Sequence, residues 1–372
     1  LLRLHFLNVD HGDCIVLEHE SEGVRSFAIV DSNSNAKDEP RALLKLRAIG
    51  ATHLNFAAVT HPHADHFLGM SEVLKEYAGK TEIFYTFPID RAELKKMIGA
   101  VVQSVTGIDD QIYSRSARQF AEVMMAGKEI AESEEGDWIT PLGESTTLMP
   151  SGFKGVKFTA ILPPGRVKGK FFEDIQNNQF DLRERNSNNV SMALLIEYAG
   201  HEIILGGDGT KENWSFLQRA RSRAGLEFAP TVVKLPHHGS EEDSGKAVLD
   251  LLFQNRPQKV TPIACISANG RTHPSNEVLD ELIAKGIHPY CTNLAERCGA
   301  KAREMVTSAD CEPELARFLN SVASIDSVGR KQPCQGDISI TFAADGSIDV
   351  ATQYNHPCAY RGEYEFLANL VQ

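Results

Sequence analysis

Two β-sheets flanked by helices, an α/β (α+β) architecture, is the fold class this sequence predicts, and three observations lead there. Apolar runs of strand length alternate with segments of helical period along most of the chain. The alternation falls into two similar halves, in which several strands run directly into His or Asp. At 372 residues, 42% hydrophobic and 24% charged, the chain carries enough apolar material for a large buried core.

The elements follow in order. The chain opens as a hairpin: Leu2–Val9 alternates loosely, Asp10-His11-Gly12-Asp13 turns, and Cys14–Glu18 runs back. A third strand, Ser26–Val30, ends at Asp31. Ala42, Leu43, Leu46 and Ile49 have helical spacing and stop at Gly50. The apolar run Leu54–Val59 reads as a strand, followed by a helix over Gly69–Tyr77 and a strand over Glu82–Phe87. Residues 91–133 read as mostly helical, with a break at Thr106–Asp110. That block is longer than a strand–helix connection needs, so it is expected to be a helical insertion bordering the site. Further strands are expected at Ser145–Met149, Val156–Leu162, Val190–Tyr198, Glu202–Leu205, Thr231–Leu235 and Thr261–Ser267. Helices are expected at Trp214–Arg223, Ser244–Phe253 and Asn276–Ala284, and a polar loop at Gly165–Asn189. Asp337–Phe342 and Ser347–Thr352 form a closing hairpin. The resulting division is a main domain over 1–293, a cysteine-containing insertion over 294–335, and the hairpin with a tail over 336–372.

The chemistry concentrates after the strand Leu54–Val59, in Thr60-His61-Pro62-His63-Ala64-Asp65-His66. Imidazole nitrogen and carboxylate oxygen are both good ligands for Zn²⁺ and related cations, and crowding four of them is costly unless a cation organises them. His61 and His63 alternate and can share one direction, whereas Asp65 and His66 lie further round the turn. The spacing suits two adjacent cations. Asp208, between glycines at the end of Ile203–Leu205, can bridge them, although alone it is an ordinary turn aspartate. Val232–Leu235 runs into Pro236-His237-His238-Gly239-Ser240, from which one histidine is expected to ligate, because adjacent side chains diverge. The choice between His237 and His238 stays open. His273 is a candidate general acid, Lys234 and Arg271 candidate phosphate clamps, and Asn189 and Ser240 candidate substrate contacts. No histidine lies between His66 and His201, so the first cation lacks a third imidazole from mid-chain and is expected to bind weakly. His5, His11, His19, His53, His288 and His356 are structural by default.

A net charge of −12 argues against a broadly basic, nucleic-acid-coating surface but leaves room for a local groove. No window approaches the ~18 consecutive apolar residues of a membrane span. The N-terminal stretch reads as strand and turn, not as a signal peptide, so a cytoplasmic location is the expectation. Seven cysteines, an odd number in a chain of this size, favour a reducing compartment. Cys291, Cys298, Cys311 and Cys334 would suit a structural zinc, but their spacing lacks the paired C-x2-C, and ordinary thiols are expected.

The order of motifs resembles the metallo-β-lactamase superfamily, and more narrowly the hydrolase domain of ComEC-type proteins and their stand-alone relatives. The carrying residues are Phe6–Asp13, His61–Gly69, Asn188–Ser191, Gly207-Asp208, Lys234–Ser240 and His273-Pro274. The resemblance implies a four-layer αββα sandwich, with His61 and His63 on a first metal, Asp65 and His66 on a second, Asp208 bridging, and His237 or His238 completing the second site. His11 departs from the pattern, where relatives often carry Gln or another polar residue. The expected cofactors are two divalent ions, Zn²⁺ or Mn²⁺. The expected activity is hydrolysis of phosphodiester bonds in nucleic acid or nucleotides by a metal-activated hydroxide. A hydrolase of a small thioester, lactone or phosphocholine ester is the alternative, and a non-catalytic, metal-stabilised interaction protein the third reading.

Overall fold

The computed structural model describes residues 1–34, 39–89, 94–99, 111–134, 136–141, 143, 146–177, 185–224, 227–255, 257, 260–269, 272–295, 297–298, 334–354 and 358. Among the described residues fifteen strands are β1 Leu2–Phe6, β2 Ile15–Ser21, β3 Val24–Val30, β4 Leu54–Val59, β5 Thr81–Thr86, β6 Asp137–Ile139, β7 Thr146–Leu148, β8 Lys157–Leu162, β9 Ala193–Tyr198, β10 His201–Leu205, β11 Val232–Lys234, β12 Ile263–Ile266, β13 His288–Cys291, β14 Ile338–Phe342 and β15 Ile348–Thr352. They form an eight-stranded sheet, β15-β14-β1-β2-β3-β4-β5-β6, and a seven-stranded sheet, β13-β12-β11-β10-β9-β8-β7.

Side-chain alternation along the strands places both faces of each sheet in apolar surroundings. In β3, Phe27 and Ile29 join an outer cluster with the helices Arg41–Ala48, Met70–Glu76 and Gln111–Glu132, while Ala28 and Val30 join the cluster between the sheets. In β12, Ala264 and Ile266 face a second outer cluster with Lys211–Ala224, Lys246–Leu252 and Asn276–Ala284, while Ile263 and Cys265 face inward. Three apolar layers thus separate four structural ones. The molecule is the αββα sandwich.

The expected helical insertion is a 22-residue helix, Gln111–Glu132, laid on the first sheet. Phe120, Val123 and Met124 are buried at helical spacing, and Gly127 lets the helix approach: a Cβ there would sit 2.4 Å from the Phe84 ring. The break at 106–110 lies outside the described residues. The segment expected as a polar loop begins instead as a helix, Arg166–Gln176, because Phe171 and Ile175 recur on one face and join the first outer cluster. A 3₁₀ turn, Arg185–Val190, precedes β9, which starts three residues later than expected. The short strands β6 and β13 are additions to the expected set.

Pairing direction decides where the chemistry emerges. β1 and β3 run antiparallel to β2 and therefore parallel to each other, β4 is parallel to β3, and β10, β11 and β12 are mutually parallel. The loops after these strands leave one edge of each sheet, the place where open α/β sheets bind ligands. A hydrogen bond from Met192 N–H to the Thr60 carbonyl (3.0 Å) ties the two edges together. Among the described residues no helix is long and apolar enough to cross a membrane.

Candidate metal centre

Six loops converge at this joint. Gly12 holds the first against the His loop: its φ is +107°, and a Cβ would lie 2.1 Å from the Asp65 carbonyl, so only glycine fits. Asp13 N–H donates to that same carbonyl, and Ser32 N–H donates to the His66 carbonyl. Asp65 and His66 occupy a one-turn helix, Ala64–Phe67, directly after His63. Of the six non-glycine residues with positive φ among the described residues, Asp10, Asp31, His237 and His238 stand here. Such backbone costs ~1–3 kcal/mol per residue and persists where the surroundings impose it.

Asp208, fully buried, is the centre of the arrangement. Its Oδ1 lies 3.3 Å from His66 Nε2 and 3.5 Å from His238 Nε2. Its Oδ2 lies 3.6 Å from His61 Nε2 and 3.9 Å from His237 Nε2. One carboxylate thus faces two pairs of imidazoles, one pair per oxygen. His63 Nδ1 is 3.0 Å from His61 Nε2, on the Oδ2 side. Asp65 Oδ2 is 3.3 Å from His238 Nε2 and 3.7 Å from His66 Nε2, on the Oδ1 side. Both members of the His237–His238 pair therefore reach Asp208. In an extended strand they would diverge, but consecutive left-handed residues (φ 44° and 53°) turn both rings to the same side.

Behind the rings stand carboxylates that the sequence analysis did not single out as site residues. Asp31 Oδ2 is 2.7 Å from His66 Nδ1, Asp13 Oδ1 is 3.4 Å from His238 Nδ1, and Asp243 Oδ2 is 2.6 Å from His237 Nδ1. The Thr60 hydroxyl, 3.1 Å away, serves His61 Nδ1 in the same way. Such outer partners hold a ring so that Nε2 presents its lone pair. Burial opposes charge on His66 and His238, but the facing carboxylates, Asp208 first, hold both pKa values well above the ordinary imidazole range. His61, buried beside His66, is held well below it. Burial would raise the Asp65 and Asp208 carboxyls, yet the neighbouring imidazoles keep both well below the usual carboxylate range.

These residues fit divalent cations. Asp208 Oδ1 is buried without a hydrogen-bond partner, and His66 and His238 attract protons where a cation would stand. Ligand atoms of His61, His66 and Asp208, and those of His11, Asp65 and His238, lie within 4.8 Å of one another. Mixed imidazole and carboxylate donors suit Zn²⁺ or Mn²⁺.

Several expectations require correction. Lys234 is completely buried; its ammonium pairs with Asp13 and donates to the Gly207 carbonyl (3.2 Å), so it supports the centre from beneath and cannot reach a phosphate. The Ser240 hydroxyl accepts from Asp243 N–H (3.2 Å) as the cap of the turn Glu241–Ser244. Burial, with His238, His237 and His11 nearby, pushes His273 down to about 4, so at neutral pH it is an uncharged imidazole and not a charged acid. Asn189 accepts from the Thr210 hydroxyl (3.0 Å) and lines a cavity of about 270 Å³ with Arg166, Lys170, Phe171 and Asn213. Arg271 lies outside the described residues. His11 is not merely structural: its Nε2 is 3.1 Å from Asp65 Oδ2, its side chain is half-exposed, and its ring stacks toward His273. The signal in the sequence is its place in the Asp10–Asp13 turn at the end of the first strand.

No protein-family model matches this chain, and no curated protein matches it. Solved structures similar to it include a mutant of the β-hydroxylase CmlA (13% identity, TM-score 0.40), matched over 79% of this chain and 52% of that one. The chain thus spans about half the length of that protein. A metallo hydrolase from Ignicoccus hospitalis matches at 14% identity and TM-score 0.39, over 78% of this chain and 94% of that one. Zn²⁺-bound PqqB from Methylobacterium extorquens matches at 10% identity and TM-score 0.41, over 79% and 99%.

Proposed function

We propose that this chain is a metal-dependent hydrolase with a two-cation centre, acting on phosphodiester bonds of nucleic acid or nucleotides. The observation that carries the reading is the division of the Asp208 carboxylate between two sets of donors. His61, His63, His237 and Asp208 Oδ2 would hold one cation, and Asp65, His66, His238 and Asp208 Oδ1 the other. His237 thereby takes the place of the missing mid-chain histidine. When bound, divalent cations polarise water into a nucleophile at neutral pH and hold the oxygen that gains charge.

The chain's own residues do the rest. Asp31, Asp13 and Asp243 fix the rings, and Lys234 fixes Asp13. At the mouth, His11 and His273 stack into an imidazole rim that suits the anionic oxygens of a phosphodiester. His11, half-exposed beside Asp65, is placed to give the leaving oxygen its proton. The motif Leu235–Ser240 extends the reading to the ComEC-type stand-alone hydrolases. An odd number of cysteines, seven, in a chain of this size is in keeping with a reducing, cytoplasmic setting. The cavity beside Asn189 favours a second reading, a small ester such as a thioester, lactone or phosphocholine ester.

Single-stranded DNA, duplex DNA, RNA and a bis-aryl phosphate, each tested with Zn²⁺ and with Mn²⁺, are expected to show metal-dependent phosphodiester cleavage. Turnover confined to carboxylic esters or thioesters would refute the substrate class. An independent check concerns the first cation alone. Asp243→Asn is expected to weaken it ~10–100-fold, the usual cost of losing an outer carboxylate, and to leave the second nearly unchanged. Chelator competition reads both affinities, and equal weakening of the two would contradict the role given to His237.

A further inference from the structure

The cavity beside Asn189 has a lining that the metal centre does not use. One wall is the helix Arg166–Gln176, which brings Arg166, Val167, Lys170, Phe171 and Asp174 to it. That spacing (i, i+1, i+4, i+5, i+8) is one face of a helix. The opposite wall is the turn Asn189-Val190 with Glu212 and Asn213 from the start of the helix Lys211–Ala224. Two hydrogen bonds hold that wall: Asn213 Nδ2 donates to the Asn189 carbonyl (2.7 Å), and the Thr210 hydroxyl donates to Asn189 Oδ1 (3.0 Å). The wall is continuous with the metal centre. Two residues after Asn189, Ser191 Oγ accepts from Asp208 N–H (2.8 Å) and lies 3.5 Å from His61 Nδ1. Two residues span at most ~7 Å of chain, so the cavity adjoins the His61 side of Asp208.

Two cations, Arg166 and Lys170, and two carboxylates, Asp174 and Glu212, share this cavity of about 270 Å³. Among the described residues Lys170, Asp174 and Glu212 make no ion pair, and the Arg166 guanidinium stacks over the Phe216 ring (4.7 Å). Lys170 and Asp174 stand four apart on one helix, the spacing at which Lys128–Glu132 and Lys246–Asp250 close to 3.1 Å and 3.5 Å. Here the pair stays open. Charges of both signs held apart around an apolar-walled hollow suit a ligand that carries an anion and separate N–H donors. An uncharged thioester or lactone answers none of the four charges. A nucleotide answers both kinds. Its phosphate meets Arg166 and Lys170, its base lies along Val167, Phe171 and Val190, and an amino-bearing base edge donates to Asp174 or Glu212.

We infer that this cavity is a nucleotide subsite, seating the nucleotide next to the scissile bond and preferring a base with an exocyclic amino group. Its place in the reaction rests on the phosphodiester reading of the metal centre, while the binding itself needs no cation. A base enters such a cavity only when unstacked, so the subsite favours single-stranded nucleic acid or free nucleotides over duplex.

Calorimetric titration of the full chain with cytidine monophosphate tests the subsite, with a chelator present so that the metal centre cannot hold the phosphate. Saturable one-to-one binding is expected, tighter than for uridine monophosphate, which has a carbonyl where cytosine has its amino group. Arg166→Gln and Lys170→Gln should each weaken cytidine monophosphate about tenfold or more, the scale of a lost charged hydrogen bond. Both side chains are exposed, so neither change touches the core. Asp174→Asn/Glu212→Gln should erase the preference for cytosine over uracil. No binding of cytidine monophosphate at millimolar concentration would overturn the subsite. So would equal affinity for the two nucleotides, or displacement by equimolar inorganic phosphate or phosphocholine. Turnover of a bis-aryl phosphate, measured separately with cations restored, reads the metal centre. Turnover without nucleotide binding overturns the subsite alone, whereas nucleotide binding without turnover supports the subsite and overturns the reaction.

Discussion

Asp208→Ala is expected to abolish metal-dependent turnover and to strip both cations, not one. Losing an outer carboxylate already costs ~10–100-fold in metal affinity or activity, and losing a shared ligand should cost more than the upper end of that range. The expectation follows from geometry: each carboxylate oxygen faces a different pair of imidazoles. Removing it also leaves His66 and His238 with fewer facing carboxylates, so their elevated pKa values should fall. Metal content after dialysis, with circular dichroism to check folding, reads the outcome. A folded variant that keeps two cations and a near-normal rate would refute the bridging role.

Lys234→Met should destabilise the fold by about 3–5 kcal/mol, the cost of breaking a buried ion pair from one side. The ammonium is wholly buried on Asp13, and without it that carboxylate keeps only His238 Nδ1 at 3.4 Å and His66 Nδ1 at 3.9 Å. Adding Asp13→Asn should recover part of the loss, since no unpaired charge then remains. Urea unfolding with a chelator present separates this from metal binding. A loss under about 1 kcal/mol, the scale of an ordinary substitution, would mean that the pair is not structural.

Much of this arrangement was legible in the sequence, for physical reasons that differ by residue. His61, His63, Asp65 and His66 are local, and three imidazoles and a carboxylate within six residues announce themselves. Asp208 and the His237–His238 pair were visible as polar interruptions at strand ends. The role of Lys234 is set by its setting and not by its charge: a lysine at the end of β11, Val232–Lys234, a short inner parallel strand, has both faces covered. The double engagement of His237 and His238 depends on two consecutive left-handed residues, which periodicity cannot reveal. Asp31, Asp13 and Asp243 act through folding alone, since each meets its imidazole only when the strand edges come together. The helix Arg166–Gln176 was hidden by its polar composition, although Phe171 and Ile175 already carried the i, i+4 signal.

The claim that two cations share Asp208 is tested most directly by electron paramagnetic resonance of the Mn²⁺-loaded chain. Two ions held by one carboxylate predict an exchange-coupled spectrum that grows in as the second equivalent binds and is absent from Asp208→Ala. A spectrum of magnetically isolated Mn²⁺ at full loading would contradict the shared centre.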